Sequence, residues 1–120
     1  MSKSKQKGTL AETAVAEYLK QTFPKVERRA LAGVNDKGDI SNVPFSVVEV
    51  KNQRSYKIHE WMKETELERS NALEELGILV IKPNGIGVSK VKDWWAVVPL
   101  SSITALIEEL RVKRLQTPGD

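Results

Sequence analysis

Apolar residues recur at helical spacing near the start of the chain. At ~100° per residue, Leu10, Ala11, Ala14, Val15, Tyr18 and Leu19 form one arc, which Ala16 and Phe23 extend. Thr13, Glu17, Lys20 and Gln21 take the polar side. The period then shortens. Residues 26–31 predict a first strand, followed by the loop Ala32-Gly33-Val34-Asn35-Asp36-Lys37. Gly38-Asp39-Ile40-Ser41 and Phe45-Ser46-Val47-Val48-Glu49-Val50-Lys51 predict two more strands, joined as a hairpin at the turn formers Asn42 and Pro44. Residues 58–76 return to helical spacing, with Ile58, Trp61, Met62, Thr65, Ala72, Leu73 and Leu76 as the apolar stripe and Gly77 as C-cap. Ile78-Leu79-Val80-Ile81 and Trp94-Trp95-Ala96-Val97-Val98 predict strands on either side of a Pro83-Asn84-Gly85 turn. Ser101 or Ser102 caps a last helix carrying Ile103, Leu106, Ile107 and Leu110 on one side. The order α-βββ-α-ββ-α predicts an α/β fold with a mixed central sheet flanked by helices.

Charged residues interrupt this pattern at informative places. In Val47-Val48-Glu49-Val50-Lys51, side chains alternate between faces, so Glu49 and Lys51 share a face with Val47. A carboxylate and an ammonium on a buried strand are costly without a purpose. The hairpin decides whether Asp39 joins them. A three-residue connection (42–44) places Asp39 opposite Val47 and diagonal to Glu49, whereas a two-residue loop turns Asp39 to the other face. Only the first assembles a site. Glu12 has two readings. Thr9-Leu10-Ala11-Glu12 is a capping box, in which Glu12 reaches back to the N-cap amide. Glu12 also falls inside the apolar arc, beside Leu19 and Phe23, where a carboxylate wants a charged partner. The arc favours a site.

Composition narrows the function classes. With 120 residues and 40% apolar content, the chain predicts one globular domain. Cysteine is absent and His59 is the single histidine, which excludes disulfides and thiolate or histidine-rich metal sites. His59 reads as a helix-start residue. No stretch reads as a membrane span or signal peptide, so the expected location is intracellular, in the cytoplasm. Of 19 basic residues, three are Lys3, Lys5 and Lys7, and without them basic and acidic residues balance at 16 each. Residues 1–8 are therefore expected to be a basic flexible arm that lies on phosphates or serves as a solubilising tail, and residues 112–120 a frayed tail. Lys51, Arg54 and Lys57 form a second basic group. Glu60, Glu64, Glu66, Glu68, Glu74 and Glu75 make the second helix acidic, which predicts that it faces away from nucleic acid. Arg69 is expected to snorkel from its stripe. Trp94 and Trp95 read as one core and one edge indole.

Helical Glu12, Gly38-Asp39 and Glu49-Val50-Lys51 on an adjacent strand together resemble the PD-(D/E)XK nuclease superfamily. Gly38 stands where the superfamily name has proline. The small size and the start Lys5-Gln6-Lys7-Gly8-Thr9-Leu10-Ala11-Glu12 are most similar to archaeal-type Holliday junction resolvases. The resemblance covers roughly residues 5–100. It implies a restriction-endonuclease-like core and Mg²⁺-dependent cleavage of four-way DNA junctions in recombination and repair, with Mn²⁺ substituting. It implies Glu12, Asp39, Glu49 and Lys51 as catalytic residues, the first three with the Val50 carbonyl as metal ligands, and products with a 5′-phosphate and a 3′-hydroxyl. Cutting two strands symmetrically calls for a homodimer. Lys3, Lys5, Lys7, Arg28, Arg29, Arg54 and Lys57 are the candidate DNA contacts.

Three other readings compete. A restriction, repair or transposon-end nuclease of the same superfamily would cut defined duplex sequences. A catalytically inactive relative would bind DNA or assemble without cutting. In an ordinary α/β domain, Glu49 and Lys51 would form one buried ion pair, a poor source of stability.

Overall fold

The computed structural model describes residues 2–29 and 38–116. Expectations for residues 30–37 and 117–120 lie outside the described residues. Helix α1 (Lys3–Lys20) leads into strand β1 (Glu27–Arg28), followed by β2 (Ile40–Ser41) and β3 (Ser46–Lys51). Helix α2 (Ile58–Ala72) crosses to β4 (Leu76–Ile81), then a 3₁₀ segment (Val88–Asp93), β5 (Trp95–Val97) and α3 (Leu100–Gln116) follow. The sheet runs β1-β2-β3-β4-β5, antiparallel except for the parallel β3–β4 pair. The expected mixed α/β sheet flanked by helices is present.

Alternation along β3 and β4 divides the core in two. Val48 and Val50 pack with Ala11, Val15, Ala16, Ile40 and Trp94 on the α1 face. Leu79 and Ile81 pack with Trp61 on the α2 face. In the parallel register Val48 faces Ile78 and Glu49 faces Leu79, so Glu49 and Lys51 belong to the α2 side. That places Glu12, on α1, across the sheet from the Glu49 carboxylate.

Several boundaries differ from the sequence reading, each for a local reason. Helix α1 begins at Lys3, with Ser2 as N-cap accepting the Lys5 amide at 3.2 Å, so residues 3–8 are helical. This start also removes the capping-box role of Thr9 and Glu12. The α3 helix likewise continues to Gln116, so residues 112–116 are helical. The hairpin pairs Ile40 with Val48 around residues 42–45, a two-residue shift from the three-residue connection, which preserves the face. Phe45 leaves the strand with φ 64° and stays exposed, and its carbonyl accepts the amides of Glu75 (3.1 Å) and Leu76 (2.9 Å). Helix α2 ends earlier than expected, at a left-handed Leu73 that is 91% exposed. Gly77 lies inside β4, where a Cβ would come within 2.8 Å of Glu66 Oε1 and 3.3 Å of Thr65 Cγ2. The missing side chain is what lets α2 close on the sheet. Arg69 does not snorkel freely; it bonds Glu66 at 2.9 Å and the Glu74 carbonyl at 3.1 Å. Trp94 is buried, donating to the Gly87 carbonyl at 3.2 Å, while Trp95 sits half-exposed on edge strand β5.

Gly77→Val is expected to destabilise the fold by about 1–3 kcal/mol by overpacking the α2–β4 contact. Urea denaturation followed by Trp fluorescence measures it.

Candidate active site

The end of the sheet where β3 and β4 terminate gathers most of the charged candidates. Residue Asp39 is anchored to β3 twice: its amide donates to the Val48 carbonyl and its Oδ2 accepts the Val50 amide, both at 2.8 Å. The conformation just before it is fixed by Gly38. Its φ is +96°, and a Cβ there would lie 2.9 Å from both Val48 O and Val47 Cγ1. Proline, with φ near −65°, cannot adopt this conformation, which accounts for glycine at that position.

Glu49 is 2% exposed, and its Oε1 is buried without a hydrogen-bond partner. Its Oε2 lies 3.9 Å from Lys51 Nζ, whose closer partner is Glu64 Oε2 on α2, at 3.2 Å. Burial raises the Glu49 pKa strongly, helped by a hydrogen bond with Glu68 and the charge of Asp39. Burial works against the Lys51 ammonium, but Glu64, Glu49 and Asp39 outweigh it and raise its pKa. On the α1 side, Glu12 pairs with Arg28 at 3.5 Å. Burial and then Asp39 raise its pKa, against the pull of Arg28 and Lys51. Glu12, Asp39, Glu49 and Lys51 thus share one electrostatic cluster, with Asp39 at the sheet end joining the two faces.

The basic candidates divide. Arg54 and Lys57 are exposed in the loop leaving β3, which Asn84 braces by donating to the Arg54 carbonyl at 2.8 Å. Lys3, Lys5 and Lys7 are exposed on the first turns of α1, and Asn52 Nδ2 donates to the Lys7 carbonyl at 3.2 Å, which ties those turns to the same end. Arg28 is engaged with Glu12, and the Arg29 amide donates to the Asp39 carbonyl at 2.7 Å while its Nε is buried without a partner. Helix α1 has its N-terminus here, and α2 starts just after β3, so both helix dipoles favour an anion at this end.

Sequence reasoning missed three residues. Lys82 follows β4 and its amide donates to the Lys51 carbonyl at 3.0 Å, adding a cation to the rim. Glu64 and Glu68 point at the site, although the acidic α2 surface is expected from sequence to face away from it. A signal for Glu68 exists: it lies three residues after Thr65 and four before Ala72, inside the helix's apolar stripe.

The raised Glu49 pKa has a consequence for stability. The folded state keeps a proton that the unfolded chain releases above its ordinary value of 4.5. That contribution is complete below the unfolded pKa and is lost as pH rises through the folded one; Glu12 acts in the same direction. Without divalent cations, the melting temperature is expected to fall between about pH 6 and 9, and Glu49→Gln to flatten that slope. Thermal melts across this range provide the check.

Comparison with protein-family models, curated proteins and solved structures finds no match to the chain.

Proposed function

We propose that the chain is a metal-dependent endodeoxyribonuclease of PD-(D/E)XK type that acts on branched DNA, with the four-way junction as its substrate. The observation that carries this reading is Asp39 held on the Val50 amide beside buried Glu49 and Lys51, at a sheet end flanked by helix N-termini and lysines. The mixed sheet, with its β1-β2-β3 meander and the α2 crossover to parallel β4, supports this reading at the level of fold class.

The residues fit a hard divalent cation. Asp39 and Glu49 offer carboxylate oxygens, Val50 a carbonyl, and the orphaned Glu49 Oε1 lacks a partner that a cation would provide. Asp39, Glu49 and Val50 would hold Mg²⁺, or Mn²⁺ in its place, with Glu12 on the opposite face of the sheet. When bound, the ion polarises the scissile phosphate and lowers the pKa of a water. Asp39 fixes the position of its carboxylate through the Val50 amide, and Glu12 adds negative charge from the α1 side. Lys51 brings its ammonium to the developing negative charge on phosphate or orients the attacking water. Lys3, Lys5, Lys7, Arg54, Lys57 and Lys82 follow the DNA backbone, which identifies a junction by shape and not by base sequence.

Symmetric cutting requires two sites, hence a homodimer. Helix α3 offers a surface for it: none of its residues is buried, and Leu100, Ile103, Leu106, Ile107 and Leu110 are exposed. The Glu64–Lys51 pair is also what a non-cutting DNA-binding protein with this fold would keep, so cleavage itself separates the two readings.

Labelled four-way junction, flap and linear duplex, incubated with Mg²⁺, Ca²⁺ or EDTA, test the proposal. Junction cleavage is expected with Mg²⁺ alone. Asp39→Asn, Glu49→Gln and Lys51→Ala should each lower it by about 10²-fold or more while binding persists. Wild-type rates in Glu49→Gln would remove the site. Cutting at one defined duplex sequence, without junction preference, would favour a restriction-type enzyme. Binding should also be steeply salt-dependent. Replacing Lys3, Lys5 and Lys7 by Ala should reduce the slope of log K against log salt by up to about 0.9 for each phosphate that is no longer neutralised.

A further inference from the structure

The α2 side of Glu49 holds more acid than a single Asp39–Glu49–Lys51 site uses. Glu64 and Glu68 are one turn apart on α2, so their side chains share a face. One carboxylate oxygen from each, and one from Glu49, lie within 4.8 Å of one another. Glu68 is 4% exposed and Glu49 2% exposed. An apolar residue at position 68 would have continued the Trp61–Thr65 stripe toward the sheet. Independently of this clustering, Glu49 Oε1 is shut off from water without a hydrogen-bond partner. Lys51 brings one ammonium to the cluster, paired with Glu64 at 3.2 Å and Glu49 at 3.9 Å.

We propose that Glu49, Glu64 and Glu68 form a divalent-cation site on the α2 side of the sheet. It deepens the nuclease reading and rests on it only in sharing Glu49 with the Asp39 site. The donor atoms are all carboxylate oxygens, which suit hard cations. An ion with ligands at 2.3–2.6 Å, as for Ca²⁺, spans oxygens up to about 5 Å apart, whereas Mg²⁺ at 2.0–2.1 Å spans only about 4.2 Å. Oxygens within 4.8 Å of one another are therefore within reach of a single ion as large as Ca²⁺. Its cation competes with the Lys51 ammonium for Glu64, so occupancy loosens Lys51 from α2. Two like charges cannot both be held at full strength by one half-exposed carboxylate.

Titration calorimetry of the full chain with MnCl₂ and with CaCl₂, at neutral pH and without DNA, tests this. Asp39→Asn should leave the α2 site in place. Glu64→Gln and Glu68→Gln should each weaken it by about tenfold or more. Lys51→Ala should tighten it, since removing a competing cation is the opposite of removing a ligand. Glu64 is on the outer side of the cluster, so Glu64→Gln keeps the test usable if Glu68→Gln fails to fold. Unchanged Mn²⁺ and Ca²⁺ binding in a folded Glu64→Gln protein, or weaker binding in Lys51→Ala, would overturn the proposal. So would an absence of binding in wild type, which would leave Glu49 and Glu68 sharing a proton. Junction cleavage retained in any of those cases leaves the nuclease reading standing. Conversely, cation binding at α2 without any cleavage by wild type removes that reading alone.

Discussion

Burial of the Glu49 carboxylate is the constraint on which the rest of this structure depends. An ionised carboxylate cannot enter an apolar sheet unless something neutralises it. Around Glu49 the chain brings Lys51, two residues along the strand, and Glu68, which shares a hydrogen bond with it. Neither disposes of the problem. Lys51 sits closer to Glu64 than to Glu49, and Glu68 adds acid instead of base. The arrangement holds a proton where a cation would serve as well. A packed hydrocarbon at this position would avoid the cost of burying a carboxylate.

Position in the fold then gives this buried carboxylate its surroundings. Parallel pairing of β3 with β4 brings Lys51 and Lys82 to one end of the sheet. The α2 crossover begins there, and Asn52 ties the start of α1 to it. Anion-attracting helix ends and a lysine rim surround an acidic centre, the distribution on which the proposed DNA contacts rest. Asp39 stands between the two faces because Gly38, in a conformation closed to most residues, turns the chain toward Val50.

How much of this is legible in the sequence follows from the range of each interaction. Strand alternation alone places Glu49 and Lys51 on one face, because side-chain direction in a strand is a local property. The hairpin preserves the face of Asp39 while its register moves by two, since the sequence does not reveal that Asn42 and Phe45 both adopt positive φ. Gly77 reads wrongly as a helix cap because glycine serves both a left-handed turn and a close approach; only the packing of Thr65 and Glu66 against it decides between them. The lysines of residues 3–7 read as an arm because their charge outweighs Ser2, whose cap makes the segment helical. Glu64 and Glu68 are averaged into an acidic helix surface, although their phase points inward. Charge counted along a helix hides what charge counted around it shows.

On this reading Glu49 is held in the sheet at the expense of stability. The unfolding free energy of Glu49→Met, measured by urea denaturation near neutral pH in EDTA, tests it most directly. Replacing a carboxylate that serves only chemistry with a side chain of similar volume should leave the fold as stable as wild type or more so, by up to about 4 kcal/mol. A loss of about 3 kcal/mol or more would instead identify Glu49 as one half of a structural ion pair and contradict the account.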